Sequence, residues 1–513
     1  MKKVFSWSII ILLSTASCNI TRRGATKDDG RITVNFLQIN DVYEIAPLSG
    51  GKEGGMARIA TLKKQSLQKN PNTFLIIAGD FLSPSVYNSL KYEGTAIRGK
   101  QMVEAMNSAG MDYAIFGNHE LDIKESELQE RINESDFQWI SSNTFHKIND
   151  SVLPFVKTQN GVNSSFPETF IKRITDADGT TAKIGFIAIT LPFNKAGYVT
   201  YTDPLATAKR LYNQLKDSVD AVVAITHQAM KDDEILAQEI PGLAMIIGGH
   251  EHDGHFEKIG NIYITKALAN AKSAYSIDLT INKKRHKIKV APKLEMVNET
   301  IALDSATNAV VQKWQTIAAN SYASLGFNAG EVVLKTGDPL DARETEIRSH
   351  PTDFTRMVVK SLEEAAPKAD VVLMNAGSIR LDDILQMPVT QYDIIRSLPF
   401  GGGIREVDMK GTLLIQILNQ GKNNVGTGGF LLYNDSLQFD KNSNAWILNS
   451  NSIDPQKIYR VALTEFLLTG GEANLGFLTP DNPDIVKVYD AETAVGNPLS
   501  DVRIAIINYL KKS

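Results

Sequence analysis

Five apolar runs in the first half of the chain stop on the same kinds of residue. "ITVNFLQI" is followed by Asn40 and Asp41, "TFLIIAG" by Asp80, "DYAIFG" by Asn118 and His119, "AVVAIT" by His227, and "LAMIIGG" by His250 and His252. "ITVNFLQI" carries its apolar face on alternate positions and the others lack helical period, so each reads as a strand. Between them lie amphipathic stretches with helical spacing, "GMARIATLKKQSLQ", "GKQMVEAMNSAG", "PLATAKRLYNQLKD" and "DDEILAQEI". Strands alternating with helices give an α/β layout, and in such sheets sites gather at the carboxyl ends of the strands. A lone aspartate after a strand is an ordinary turn residue. Five strands that each present a carboxylate, amide or imidazole at one edge form a candidate site.

The run "IIGGHEHDGH", residues 246–255, holds three of the eight histidines. Gly248 and Gly249 let the backbone turn sharply there. Neutral imidazole is the commonest metal ligand, and His250 and His252 reach one site if the loop curls. Taken alone, a solvated histidine-rich loop is the other reading.

At 513 residues the chain exceeds one ordinary domain. A hydrophobic share of 43% fits globular cores. A net charge of −4 with no long basic run gives no sign of a nucleic-acid groove. "DADGT" marks a hairpin turn. "IYITKAL" and "AYSIDLTI" read as consecutive meander strands, with "NKKR" as the following turn. A helical stretch at about 303–325 is placed to link two domains, and strands and helices resume beyond it in "DFTRMVVKSLEEAA", "ADVVLMNAG" and "IYRVALTEFLLTGG". The chain has no internal repeat and no Walker phosphate loop.

"MKKVFSWSIIILLSTASC" has a basic start, an apolar middle and small residues before Cys18, the only cysteine. That pattern is a secretory signal. "STASC" is similar to a bacterial lipobox without its usual leucine. Residues 1–18 are thus expected to be a lipoprotein-type signal, with 19–30 a flexible tether, and plain cleavage is the alternative. A lipid on Cys18 makes the mature chain an exported, membrane-anchored lipoprotein of a bacterial cell envelope, periplasm-facing.

The segments "NDVY", "GD", "GNHELD", "TH" and "GGHEH" follow one another in the order of the calcineurin-like metallophosphoesterases, which residues 31–300 resemble. The resemblance implies a four-layer α-β-β-α sandwich with two divalent metal ions bridged by Asp80. Asp41 and His252 would hold one ion, and Asn118, His227 and His250 the other. Such oxygen and imidazole donors suit Zn, Mn, Fe or Co. Two cations neutralise a phosphoester and lower the pKa of a bound water, so the implied reaction is attack by a metal-bound hydroxide. His119 would stabilise the transferring charge or protonate the leaving oxygen, with Asp122 orienting it. The plainer roles are a helix start for His119 and a helix cap for Asp122. The family usually carries histidine where this chain has Tyr43. A phenol with a pKa near 10 is a poor ligand, so Tyr43 is expected to pack or hydrogen-bond nearby.

After a linking helix at 301–327, residues 328–513 resemble the smaller α/β substrate domain of secreted 5′-nucleotidases. The matching segments are "EIRSH" with Arg348, "NAGSIR" with Asn375, Gly377 and Arg380, "LPFGG" with Phe400, and "TEFLLTGG" with Phe466. The resemblance implies arginine forks on an anion and two rings sandwiching a base. Glycine-rich flanks expose a ring such as Phe400, although core phenylalanines and surface ion pairs are the plainer readings. Thr355-Arg356 replaces the usual Gly-Asn, Lys360 replaces an aspartate, and Glu472 stands for an aspartate near the ribose. The implied function is hydrolysis of nucleoside monophosphates, with domains rotating about the linking helix. Alternatives are UDP-sugars, 2′,3′-cyclic nucleotides or other phosphomonoesters, and a catalytically weak nucleotide- or metal-binding lipoprotein. The expected partners are a small phosphoester and a membrane, with no nucleic acid and no obligate protein partner.

Overall fold

The computed structural model describes residues 28–512. The expectations for residues 1–27, Cys18 among them, lie outside the described residues. Apolar runs in the first half form β1 (Arg31–Ile39), β2 (Thr73–Ile77), β3 (Tyr113–Ala114), β4 (Gln138–Trp139), β5 (Thr169–Thr175), β6 (Thr181–Thr190), β7 (Ala221–His227), β8 (Met245–Gly249), β9 (His255–Ile259), β10 (Ile262–Lys266), β11 (Ser273–Asn282) and β12 (Lys287–Met296). One six-stranded sheet has the order β12-β11-β1-β2-β3-β4, and the other β5-β6-β7-β8-β10-β9. Strands β1 to β4 run parallel, as do β6, β7, β8 and β10.

The sheets stack through Phe36, Ile76 and Ile115 on one side and Phe186, Val223 and Ile247 on the other. Helices α1 (Met56–Lys69) and α2 (Lys100–Ala109) cover the outer face of the first sheet with Ile59, Met102 and Met106. Helices α3 (Pro204–Leu215) and α4 (Met230–Glu239) cover the second with Leu211 and Leu236. Successive side chains of a strand point to opposite faces. With both faces covered, the central strands are mostly apolar at successive positions, and the buried polar exceptions of β1, Asn35 and Gln38, are hydrogen-bonded.

One expectation is corrected. β10 lies in the second sheet between β8 and β9, whereas β11 lies in the first beside β1, so the two are not meander neighbours. The chain crosses between sheets over residues 267–272, where the side chain of Asn40 bonds both backbone groups of Ala267. Periodicity marks a strand but not the sheet it joins. "DYAIFG" is also strand only over Tyr113–Ala114.

Helix α5 (Ser305–Ser324) starts on Asp304, whose side chain accepts from the Thr307 N–H. It lies on α1 and α2 with Val311, Trp314 and Ala318 buried, and the Trp314 indole donates to Glu104 at 2.9 Å. Beyond it, a five-stranded sheet takes the order Leu431–Tyr433, Val371–Asn375, Ile458–Thr464, Ile404–Lys410 and Ile485–Val488. Helices α6 (Asp353–Ala365) and α7 (Gly411–Asn423) cover opposite faces, through Phe354 and Val358 on one side and Leu413 and Ile417 on the other.

Candidate metal centre and substrate cleft

The parallel strands bring their polar ends to one point. Ligand-type atoms of Asp41, Asp80 and His227, all buried, lie within 4.8 Å of one another. His227 donates Nδ1–H to the Ala78 carbonyl at 2.8 Å, which leaves Nε2 facing Asp80 Oδ2 at 3.1 Å and Asn118 Oδ1 at 3.2 Å. His252 Nε2 lies 3.6 Å from Asp41 Oδ1. The backbone N–H of His250 donates to Asp41 Oδ2 at 3.0 Å, and its ring centroid lies 5.3 Å from that of His227. Asp41, Asn118, Asp80, His227, His250 and His252 thus share one neighbourhood. His255, in the same histidine-rich run, instead opens β9 opposite Lys266. The backbone turns hard at these strand ends, with Asp41, Asp80 and His250 at φ 53, 57 and 89. A Cβ at Gly117 would stand 2.1 Å from Asp80 Oδ1, so only glycine fits there.

The cluster fits a cation. Asp41 Oδ2 accepts from Asn40 Nδ2 at 2.8 Å and from His250 N, but Asp41 Oδ1 is buried with no hydrogen-bond partner. Two imidazole nitrogens face that bare oxygen, at 3.6 Å from His252 and 4.0 Å from His227. A buried acceptor left unpaired costs roughly 1–3 kcal/mol, more when charged, and a cation removes that cost. Carboxylates, an amide oxygen and imidazoles are the donor set of divalent transition metals. Tyr43 does not add to it. Burial, and then Asp80 and Asp41, push its phenol well above 10, so it stays neutral. It donates to Asp80 Oδ2 at 3.2 Å and lies 3.1 Å from His252 Nε2.

His119 stands beside the cluster. Its backbone N–H donates to Asp80 Oδ1 at 2.8 Å, and its Nδ1 lies 2.5 Å from Asp122 Oδ2. Burial opposes a charge on this ring, but Asp80 and Asp122 outweigh it and hold the imidazolium up to about 9. Asn194 donates to the other Asp122 oxygen at 2.7 Å.

Sequence reasoning missed three supports. The buried Glu120 carboxylate accepts four backbone N–H groups, from Asp80 (2.8 Å), Phe81 (2.6 Å), Leu82 (3.0 Å) and Gly117 (2.6 Å), and so staples two ligand-bearing loops. Lys266, wholly buried, reaches Asp233 Oδ2 at 3.0 Å, the Gln228 carbonyl at 2.7 Å and Glu251, tying the His227 loop to the His250 loop. Asn194 sits in an irregular stretch with no spacing signal at all.

Across a cleft lined by Tyr43, Asn270, Arg380 and Pro399 stands the C-terminal half. Phe400 and Phe466 are 67% and 47% exposed. The Arg380 guanidinium lies 5.7 Å from the Phe400 ring centre. Glu344, also missed, pairs with Arg348 at 2.5 Å and Arg380 at 3.6 Å. The Nε groups of both arginines are buried without hydrogen-bond partners. Asn375 Nδ2 donates to Glu472 Oε2 at 2.6 Å. Gly377 packs its backbone on Gly428, where a Cβ would meet Gly428 Cα at 2.8 Å. Thr355 serves the capping box of α6 with Thr352, and Arg356 pairs with Asp353, so both departures act within the helix itself.

Residues 34–254 match the calcineurin-like phosphoesterase family, and residues 332–478 match the 5′-nucleotidase C-terminal domain. The chain belongs to the 5′-nucleotidase family. With that family come phosphoester hydrolysis and, from its calcineurin-like half, divalent metals. The 5′-nucleotidase of Bos taurus is 24% identical over 473 residues, covering 82% of this chain and 78% of that one. The Homo sapiens 5′-nucleotidase is 22% identical over 474 residues with the same coverage, 82% and 78%. Among solved structures, a 5′-nucleotidase precursor from Thermus thermophilus aligns at TM-score 0.66 and 19% identity, covering 94% of this chain and 96% of that one. The sulfate thiohydrolase SoxB of the same organism aligns at TM-score 0.62 and 13% identity, covering 93% and 94%. One fold thus carries differently named hydrolases, and the choice of substrate rests on the site.

Proposed function

We propose that the chain is a metal-dependent 5′-nucleotidase that splits nucleoside monophosphates into nucleoside and phosphate. The observation that carries this reading is a buried acid–imidazole cluster in one half that Asp382 of the other half reaches through His252, with Arg348 and Arg380 paired on Glu344 and an exposed Phe400 beside Arg380. Asp41, Asp80, Asn118, His227, His250 and His252 would hold two divalent cations of the Zn, Mn, Fe or Co class. When bound, these supply charge neutralisation and a water that ionises near neutral pH. Residues 31–300 then carry the chemistry and 328–513 the recognition, with 301–327 as the link.

The remaining roles belong to side chains. Burial works against the Asp80 charge, yet His227 and His119 hold its carboxyl well below the usual range, so it stays ionised. His119, charged at neutral pH and clamped through Nδ1 by Asp122, presents Nε2–H to the phosphoryl or leaving oxygen and gives up that proton. Arg348 and Arg380 share one carboxylate, Glu344, which leaves a net positive charge for the phosphate. Phe400 and Phe466 stack on the base, each contributing ~1–3 kcal/mol. Asn375, tied to Glu472, and Gly377, packed on Gly428, would complete the substrate wall.

Purified protein supplied with Mn, Zn or Co should hydrolyse AMP faster than UDP-glucose, a 2′,3′-cyclic nucleotide or an aryl phosphate. Faster turnover of the aryl phosphate would remove the base clamp from the reading, and no turnover of any ester would remove the enzyme. The sequence also supports export and a lipid on Cys18. Metabolic labelling with a fatty acid should then mark the wild type and spare Cys18→Ala.

A further inference from the structure

We infer that Asp382, from the C-terminal half, is a positioning residue for metal binding, so that the N-terminal cluster is completed across the cleft. The inference rests on the metal-centre reading above. An imidazole can carry its proton on either nitrogen, and the partner of one nitrogen decides what the other offers. His227 takes its orientation from its own half, through the Ala78 carbonyl. His252 takes it from the other half. Asp382 Oδ2 lies 2.7 Å from His252 Nδ1. With a proton on Nδ1 facing Asp382, Nε2 is the nitrogen left for a metal, and it lies 3.6 Å from the bare Asp41 Oδ1 and 3.1 Å from the Tyr43 hydroxyl.

Asp382 is itself fixed. Its other oxygen accepts the Glu344 backbone N–H at 2.7 Å, and its backbone is held at φ 43. Glu344 is the residue that pairs with both Arg348 and Arg380. A continuous chain of contacts therefore runs from His252 through Asp382 and Glu344 to the two arginines. With a neutral phenol at Tyr43, the cation near Asp41 depends more heavily on His252 facing the right way. Next to Asp382, Asp383 pairs with Lys272 of the N-terminal half without touching any cluster residue. That neighbour separates orienting a ligand from merely docking the halves.

The test titrates Zn²⁺ into the full-length protein against a chromogenic chelator, with thermal midpoints taken in excess chelator. Asp382→Ala should weaken Zn²⁺ retention by roughly 10–100-fold at the weaker site. Asp382→Asn, the same shape without the charge, should lose affinity in the same direction, and Asp383→Asn should stay at wild type. Saturating metal should restore kcat in Asp382→Ala with KM for the nucleotide unchanged. Wild-type affinity in both Asp382 variants overturns the inference alone, as does an equal loss in Asp383→Asn. A wild type that retains no Zn²⁺ overturns the metal centre as well.

Discussion

Around Asp41 and Asp80, every carboxylate oxygen but one has a named donor. At the proposed recognition wall, by contrast, Phe400 and Phe466 are both exposed to solvent. The difference fits the role proposed for each region. Charge must be stabilised where it develops, by groups already aimed and unable to relax, so a reacting centre gains from rigid, dry packing. Stacking needs only a face, and a base brings its own shape to it. Damage to the first region should therefore appear in turnover, and damage to the second in affinity.

The sharpest way to break that division is His119→Ala. It should lower kcat by ~10²–10⁴ while metal content and KM stay near wild type. A change confined to KM would erase the contrast. Next in size, Phe400→Ala and Phe466→Ala should each raise KM for a nucleoside monophosphate by roughly 5–150-fold. Kinetics on an aryl phosphate, which has no base to clamp, should not move, and an equal loss there would make both rings structural.

A third test concerns the proton on His119. Its ring is held up to about 9, so activity should fall on the alkaline side near that pH. Asp122→Asn removes one of the charges holding it, and the alkaline limb should shift down toward the ordinary value of 6.5. A pH–kcat profile in which the limb stays put would free His119 from Asp122.

The smallest effect lies between the halves. Buried Glu44 accepts a hydrogen bond from the Tyr392 hydroxyl, and burial pushes its carboxyl to about 7 despite Tyr392 and Arg396. The folded protein thus holds this proton more tightly than the unfolded chain. The stability this gives is present below 4.5 and is lost as pH climbs through about 7. Glu44→Gln, always neutral, should flatten that decline in urea midpoints read between pH 5 and 8. An unchanged slope would place the pH sensitivity elsewhere.

Much of the fold is legible in the sequence because parallel strands covered on both faces leave mostly apolar runs, and the polar residue ending each run stands out. The helices are legible from their spacing and from Gly110, which ends α2 at φ 72. Glu120, Asn194, Glu344 and Asp382 are not legible, because each is defined by a partner that only folding supplies. Glu120 binds backbone N–H groups, which any sequence offers. Asn194 and Asp382 meet residues remote in the chain. The misplacement of β10 and β11 has the same root, since neighbours in sequence need not be neighbours in a sheet.

The left-handed backbone at Asp41, Asp80 and His250 restricts redesign. Aspartate, asparagine and histidine visit that region more readily than other side chains, and most others enter it at a penalty of ~1–2 kcal/mol. Swapping in glutamate or cysteine to change metal preference would meet a conformational penalty before any coordination chemistry began. An alanine scan at these three positions would mix strain with lost donors, and Asp→Asn exchange separates them. The shape of the chain has already narrowed the palette from which a metal could choose.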